Sequence, residues 1–313
     1  MVKKYEIRNL EVKIGKMALK NPVIAASGTF GYGEEMSEFF DIGKLGAIVT
    51  KTITLKPREG NPTPRIIETA SGMLNSIGLE NKGLKDFIFN KVPMLEKLNT
   101  HVIVSIAGFN LKEFSHLTEE LSKIKCISAI ELNLSCPNVA HNPRSTVHRL
   151  IAQDRTAVRK IVSAARKQTK LTLITKLSPN VSDIKPIAKT AEDAGSDALS
   201  LINTVFGISV DIDTRKSNLA NIVGGLSGPA IKPVALNFVR EAYSAVKIPI
   251  IGMGGIMTAR DAIEFIICGS TAVGVGTANF VSPVATVEII NGIMSYMRKN
   301  RIKNISSLVG NLK

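Results

Sequence analysis

The chain has 313 residues, of which 44% are hydrophobic and 21% charged, an ordinary globular composition with ample material for a large core. Its apolar runs fall short of the roughly 18 residues that cross a membrane, its N-terminus lacks the apolar core of a signal peptide, and its three cysteines have neither disulfide nor metal-ligand spacing. The net charge of +14 suggests that the protein binds nucleic acid, but the chain has no tryptophan, only 5% aromatic residues and no base-stacking motif. We therefore expect a cytoplasmic protein that binds no nucleic acid, membrane or metal.

Short apolar runs alternate with longer amphipathic segments along the whole chain, and the runs are continuous, as parallel strands buried on both faces are. The predicted strands are residues 23–28, 47–52, 102–107, 129–135, 171–177, 198–203, 249–253 and 271–275. The predicted helices are residues 34–44, 83–99, 111–124, 150–168, 182–194, 229–246, 258–268 and 282–299. Eight strands that are each followed by a helix predict a single (β/α)8 TIM barrel domain over residues 1–313.

Three segments depart from the simple alternation. Residues 1–22 predict a short hairpin ahead of the first strand, at the floor of the barrel. Residues 53–82 and 204–228, after the second and sixth strands, are long connections rich in Gly, Pro and Asn. Loops of this length inside a compact domain are usually functional, and on a barrel both emerge at the carboxyl ends of the strands, where active sites lie.

Basic residues are densest between residues 141 and 170, where Asp154 is the single acid. We interpret this segment as the solvated face of a helix. A surface for an anionic substrate or an acidic partner protein stays open as an alternative.

Glycine-rich turns follow the last two predicted strands, in Gly252-Met253-Gly254-Gly255 and in Gly274-Val275-Gly276-Thr277. Glycines let a backbone approach a phosphate, and the N-terminus of a following helix offers free N–H groups. The spacing matches neither the dinucleotide fingerprint nor a P-loop, so it favours a mononucleotide cofactor or a phosphorylated substrate. Tight turns without a ligand are the alternative.

Polar side chains stand at the ends of other predicted strands. They are Lys51 and Thr52 on the second strand, Lys176 on the fifth, and Asn203 and Thr204 on the sixth. We expect them to face one pocket with Cys136, Asn133 and the glycines, where a lysine stabilises negative charge on a ligand. The alternative for each lysine is an ordinary surface position.

The fourth predicted strand leads into Cys136, which is flanked by Asn133 and Asn138. A thiol at the end of a strand can act as a base or a nucleophile, and the two amides offer donors and acceptors to a polar ring. A buried structural cysteine, in a turn set by Pro137, is the alternative.

Taken together and in order, these segments resemble the dihydroorotate dehydrogenase family over essentially the whole chain. The resemblance is carried by residues 26–31, 51–54, 57–62, 72–79, 133–138, 224–230 and 252–256. Cys136 is similar to class 1 of the family, and the Gly-Met-Leu-Asn and Gly-Gly-Leu-Ser-Gly-Pro segments are similar to class 1B. The resemblance implies FMN-dependent oxidation of dihydroorotate to orotate in pyrimidine (UMP) biosynthesis. It also implies that electrons pass to a partner subunit carrying FAD and a 2Fe–2S cluster, and then to NAD.

The resemblance also implies roles for single residues. Cys136 would be the general base, removing a proton from dihydroorotate while hydride passes to FMN. The residues implied around the flavin are Ser27, Lys51, Thr52, Ser105, Asn133, Lys176, Ile202, Gly228, Gly254, Gly255, Gly276 and Thr277. The residues implied around the substrate are Lys51, Asn75, Ser76, Ile77, Gly78, Leu79, Asn133, Asn203 and Thr204. A homodimer is implied as well, with a heterotetramer when the electron-transfer subunit is present.

Two positions depart from the family pattern. Ser105 stands where the family usually has Asn, so one flavin hydrogen bond would be lost or mediated by water. Residues 139–149 replace the family's Gly-Gly segment, with Pro143 stiffening the backbone and Arg144 available to an anion. These departures leave open a related flavoenzyme acting on another dihydropyrimidine, or a class 1 enzyme with a different acceptor such as fumarate. A barrel retained for binding or assembly is the non-enzymatic alternative.

Overall fold

A computed structural model describes residues 9–134 and 150–313; Cys136 and residues 139–149 lie outside the described residues. Eight parallel strands close into a barrel in chain order, because the last strand pairs with the first. The barrel strands, β1 to β8, are Val23–Ala25, Ala47–Val49, His101–Ile106, Ile127–Asn133, Thr172–Lys176, Ala198–Leu201, Ile250–Met253 and Ala272–Val275. The predicted TIM barrel is confirmed.

Helices and helical turns surround the barrel, and their amphipathic faces close the core against the strands. Their bounds are Glu35–Glu38, Ile42–Lys44, Gly83–Asp86, Phe87–Lys91, Val92–Leu95, Leu111–Ser122, Ile151–Gln153, Arg155–Gln168, Lys185–Asp193, Pro229–Ile231, Lys232–Ala245, Ala259–Cys268, Ala278–Val281, Ala285–Lys299 and Ile305–Leu308. In the helix Arg155–Gln168, Val158 and Val162 are buried while Arg159 and Lys160 are exposed, which is the predicted basic, solvated face. No helix within the described residues is long and apolar enough to cross a membrane.

The predicted helix over residues 34–44 is wrong. The segment forms two short 3-10 turns, Glu35–Glu38 and Ile42–Lys44. Asp41 between them has an extended backbone, and its carboxylate accepts a hydrogen bond from the N–H of Gly43 at 2.8 Å. This side-chain cap starts a new turn instead of continuing a helix.

The predicted N-terminal hairpin is confirmed. Val12–Ile14 pairs antiparallel with Met17–Leu19. The N–H of Lys16, in the turn, donates to the hydroxyl of Thr172 at the start of β5, at 2.9 Å. Because the amino ends of the strands form the floor of the barrel, the hairpin packs at the floor.

The two long connections fold together into one sheet. Ile66–Thr69 and Gly72–Asn75 come from the connection after β2, and Val205–Gly207 and Gly224–Ser227 come from the connection after β6. They form a four-stranded antiparallel sheet in which Gly72–Asn75 pairs with Gly224–Ser227. A short hairpin joins Val210–Asp211 to Lys216–Ser217. Since both connections leave the carboxyl ends of their strands, the sheet stands at that end of the barrel.

Candidate active site

A cavity of about 250 Å³ opens at the carboxyl ends of the barrel strands, and residues of the four-stranded sheet form part of its wall. Most of the predicted site residues line it. They are Ser27, Lys51, Thr52, Asn75, Ile77, Gly78, Leu79, Asn133, Lys176, Ile202, Asn203, Thr204, Gly228, Gly254, Gly255, Gly276 and Thr277. These residues come from seven of the eight strand ends and from both long connections. The structure therefore brings together residues that are up to 250 positions apart in the sequence, from Ser27 to Thr277.

One end of the cavity is built from glycine backbone. Gly255 has a φ of +81°, and a Cβ at this position would lie 2.9 Å from the carbonyl oxygen of Gly228, so only glycine fits without displacement. The N–H groups of Gly254, Gly255, Gly276 and Thr277 donate to no acceptor among the described residues. Free backbone N–H groups on the wall of a cavity are donors suited to an anion such as phosphate.

The sequence predicted that the N-terminus of the helix after Gly255 would offer free N–H groups to a phosphate, but these groups are already bonded within the helix. The N–H groups of Met257 and Thr258 both donate to the carboxylate of Asp261, and the N–H of Asp261 donates to the hydroxyl of Thr258. Lys232 pairs with this carboxylate at 2.6 Å. These hydrogen bonds and the ion pair hold the pKa of Asp261 below its usual value, although burial opposes the shift. The first turn of Ala259–Cys268 is thus capped by its own acid, and the free donors lie on the glycines before it.

A network of hydroxyl groups lies at the carboxyl ends of β1 to β4. The Oγ1 of Thr52 lies 3.3 Å from the hydroxyl of Ser27 and 2.9 Å from that of Ser105. It also accepts a hydrogen bond from the side-chain amide of Asn133 at 3.1 Å. The hydroxyl of Ser27 in turn donates to the carbonyl oxygen of Thr50 at 2.7 Å. These contacts fix the orientation of Asn133, whose amide lines the cavity.

A buried ion pair lies beside this network. Lys176 on β5 lines the cavity, and its Nζ lies 3.8 Å from Oε1 of Glu131 on β4. Glu131 is 1% exposed, and its other carboxylate oxygen accepts a hydrogen bond from the hydroxyl of Ser200 at 2.9 Å. The sequence reasoning missed Glu131. The sequence does carry a signal for it, because Glu131 is a charged residue in a mainly apolar strand, two positions before Asn133. This spacing places both side chains on the same face of the strand.

Comparison with known proteins now decides the family. The sequence profile of dihydroorotate dehydrogenases matches residues 9–297. The chain belongs to the dihydroorotate dehydrogenase family. It is 51% identical over 304 residues to a protein of Trichlorobacter lovleyi, covering 97% of this chain and 98% of the relative. It is 52% identical over 302 residues to one of Desulforamulus reducens, covering 96% and 98%, and 50% identical over 305 residues to one of Thermoanaerobacter sp. strain X514, covering 97% and 99%.

Each of these relatives is named dihydroorotate dehydrogenase B (NAD(+)), catalytic subunit. The predicted family and its class 1B are therefore confirmed. The site residues themselves rest on the geometry of this chain.

Two residues predicted from the family pattern do not line the cavity. Ser105 is fully buried and its hydroxyl bonds to Thr52, so it supports the wall from behind. Ser76 is 1% exposed, and its hydroxyl accepts hydrogen bonds from the amides of Asn61 and Asn221, both at 3.1 Å. Because Asn61 and Asn221 belong to different long connections, Ser76 joins the two connections instead of facing the cavity.

Sequence reasoning missed one residue that supports the cavity and several residues that line it. The side-chain oxygen of Asn180 accepts from the N–H of Phe206 at 3.0 Å and its amide donates to the carbonyl of Thr204 at 3.1 Å, which holds the start of the connection after β6. The missed residues that line the cavity are apolar: Ile66, Met73, Ile231, Met253, Ile256, Met257 and Phe280. These residues could not be predicted from a strand-end or glycine pattern. Apolar residues occur on every buried face, so nothing in the sequence distinguishes those that line the cavity.

A group of possible metal ligands occurs on the surface, away from this cavity. Single ligand atoms of His116, Glu119 and Glu120 lie within 4.8 Å of one another on the helix Leu111–Ser122. Lys123 pairs with Glu120 at 2.7 Å and with Glu119 at 3.5 Å. Helical spacing alone brings these three side chains to one face, and Lys123 already offsets part of the negative charge of the two glutamates.

Proposed function

We propose that this chain oxidises dihydroorotate to orotate with FMN as its bound cofactor, as the catalytic subunit of a class 1B enzyme. Family membership and the shared name of the relatives support the reaction. The observation that carries the cofactor is one cavity with two chemically different walls, free backbone N–H groups on glycines and a polar wall of lysine, hydroxyl and amide groups. This pairing fits a ligand with a phosphate at one end and a polar ring at the other.

The residues that hold FMN follow from the two walls. Gly228, Gly254, Gly255, Gly276 and Thr277 hold the phosphate through backbone N–H groups. Ser27, Lys51, Thr52, Asn133, Lys176 and Ile202 surround the ring, with Ser105 acting through Thr52. When bound, FMN supplies the acceptor for hydride. Lys51 and Lys176 stabilise the negative charge that reduction places there, because an ammonium group at a partly dry wall interacts strongly with charge.

The substrate lies against the sheet made by the long connections. The amides of Asn75, Asn133 and Asn203 suit the carboxylate and ring amides of dihydroorotate, and Ile77, Gly78, Leu79 and Thr204 complete its surroundings. Leu79 has a φ of +60°, a conformation that costs a leucine energy, and its carbonyl oxygen accepts a hydrogen bond from the side chain of Asn81 at 2.7 Å. Asn81 therefore holds the loop in a shape that its sequence alone disfavours. Cys136 is the general base that removes the substrate proton.

The relatives' designation as a catalytic subunit supports a second subunit. We assign it FAD and a 2Fe–2S cluster, with NAD as the final acceptor. A homodimer, its heterotetramer with that subunit, and a cytoplasmic location stay predictions from the sequence and the resemblance.

The test is the visible absorption spectrum of the purified protein without oxygen, before and after dihydroorotate is added. We expect flavin bands that bleach with dihydroorotate, and FMN as the flavin released on denaturation. Dihydrouracil, which lacks the carboxylate, is the matched control and should leave the bands unchanged. Bands that persist with dihydroorotate but bleach with dithionite would refute the substrate, and a protein that takes up no flavin would refute the enzyme.

A further inference from the structure

A carboxylate is buried inside the barrel, directly below the cavity. Carboxylates are almost never fully buried unless they are paired, yet Glu131 is 1% exposed. One of its oxygens accepts a hydrogen bond from Ser200. The other, Oε1, accepts none from any described residue. The cation that faces this oxygen is Lys176, at 3.8 Å.

The strand register explains why these three side chains meet. Lys176 on β5 is the direct partner of Asn133 on β4 and of Ser200 on β6. Glu131 lies two residues before Asn133 and therefore points to the same side of β4. The hydrogen bond between Glu131 and Ser200 thus joins β4 to β6 across the strand that carries Lys176.

Glu131 and Lys176 are close enough to attract each other as charges but too far apart to form a hydrogen bond. At 3.8 Å the ion pair is longer than the 2.7–3.2 Å of an N–H···O hydrogen bond. The Nζ of Lys176 donates no hydrogen bond to any acceptor among the described residues, so its N–H donors remain available to a ligand in the cavity.

Stability does not explain this arrangement. A buried ion pair loses the hydration of both charges, and replacing such pairs with apolar residues of similar volume is often neutral or stabilising. An acid at this depth is better explained by its effect on the lysine.

We propose that Glu131 is a positioning residue for the flavin, acting through Lys176. Ser200 holds the carboxylate, and the carboxylate holds the ammonium group at the cavity wall, short of its closest approach to the flavin ring, so that the ring meets less of its positive charge. This inference rests on the proposed function, because it concerns the same FMN site. It assigns Glu131 control over the balance between oxidised and reduced flavin.

The test is the two-electron reduction potential of bound FMN, titrated chemically against a reference dye so that no substrate is needed. In Glu131→Gln the shape of the side chain is kept and its charge is lost, so the ammonium group of Lys176 is no longer held back and acts more strongly on the flavin. We expect the equilibrium to shift roughly tenfold toward reduced flavin, a positive change of about 30 mV. Glu131→Met, of similar volume, should shift in the same direction and serves if the glutamine variant does not fold.

A double-mutant cycle identifies the route through the lysine. In a Lys176→Met background, Glu131→Gln should change the equilibrium less than twofold. Glu288→Gln, an exposed acid on the helix Ala285–Lys299, controls for net charge and should leave the potential unchanged. Thermal melting of each protein without flavin reports any purely structural effect, which would lower the midpoint and leave the potential alone.

Two results would overturn the inference on its own: an unchanged potential in both Glu131 variants, or the same shift with and without Lys176. A wild-type protein that binds no FMN would refute the proposed function and this inference with it. The wild-type sample therefore distinguishes the two failures.

Discussion

Replacing Gly276 with alanine should weaken FMN binding and leave the fold intact. Gly276 lines the cavity, and its N–H donates to no described acceptor. A Cβ added there would meet nothing closer than the Cγ2 of Thr29 at 3.8 Å and the Cβ of Ala26 at 3.9 Å, which are ordinary van der Waals distances. The flavin-free protein should therefore keep its unfolding free energy within about 0.5 kcal/mol of the wild type.

The expected loss of affinity follows from the phosphate. With no protein atom close by, the new methyl group stands in the cavity, where a phosphate oxygen would approach the N–H of Gly276. A hydrogen bond to a charged group contributes about 1.5–3 kcal/mol. Losing one such bond raises the dissociation constant of FMN roughly 10- to 150-fold.

The assay is the quenching of FMN fluorescence on titration with flavin-free protein, together with urea unfolding of the same samples. Gly255→Ala is the matched contrast, because its φ of +81° and its 2.9 Å approach to the carbonyl of Gly228 predict a loss of both stability and binding. A wild-type FMN affinity in Gly276→Ala would refute the placement of the phosphate. A lower unfolding free energy in the same variant would refute the claim that the protein has room for a methyl group at this position.

Three further predictions test other parts of the site and fold. Cys136→Ala should keep the FMN affinity of the wild type but lose roughly 10²–10⁴-fold in dihydroorotate turnover, and undiminished turnover would contradict its role as general base. Ser105→Asn, which introduces the residue usual in the family at a fully buried position, should lower the unfolding free energy in urea by about 1–3 kcal/mol through overpacking; an unchanged midpoint would show that the wall can expand. Burial, and then the negative charges of Asp86 and Glu34, raise the pKa of Tyr32 from 10.0 to about 12, so the unfolded chain ionises first as pH rises. The resulting stability is fully present below pH 10 and is lost toward pH 12, so wild-type protein should lose stability more steeply than Tyr32→Phe in this window; parallel curves would disprove the assignment.

The barrel and most of the cavity could be predicted because their signals are local. The barrel strands are mainly apolar, and Ala47–Val49 is apolar and buried throughout, as the sequence-based argument requires. Once the strands are placed, the geometry of a barrel brings their carboxyl ends together. Lys176 and Asn133 were predicted in one pocket on this ground alone, and they are direct partners across β5 and β4.

The sheet at the mouth of the cavity could not be predicted, because its signal is not local. Asn75 pairs with Gly225, and the side chain of Asn75 also donates to the carbonyl of Gly225 at 3.3 Å across 150 positions of sequence. The strands of this sheet are only three or four residues long, too short for a clear alternating pattern in the sequence. Pairing between distant segments depends on the barrel holding both connections at one end.

Ser105 and Ser76 show a different limit. Both were placed around ligands by resemblance, and both side chains are buried outside the cavity lining, bonded to Thr52 and to Asn61. The alternation of a strand predicts which face a side chain occupies. It does not predict whether a short hydroxyl side chain lines the cavity or forms a hydrogen bond to a neighbouring side chain. A difference of about one bond length in position decides between the two.

Several departures from local rules lie around one cavity. Glu131 places a charge in a strand core, Lys176 places its counter-charge at the wall, and Leu79 adopts a backbone that favours glycine. The N–H groups of Gly255 and Gly276 find no described acceptor. Each of these costs the fold energy that an apolar or better-satisfied residue would not. Their meeting at the carboxyl ends of the strands is explained if a bound ligand completes them, with its phosphate satisfying the glycines and its ring facing the lysine. The same reasoning makes the pair of Glu131 and Lys176 a device of the site, whose removal should change the flavin equilibrium before it changes the stability of the barrel.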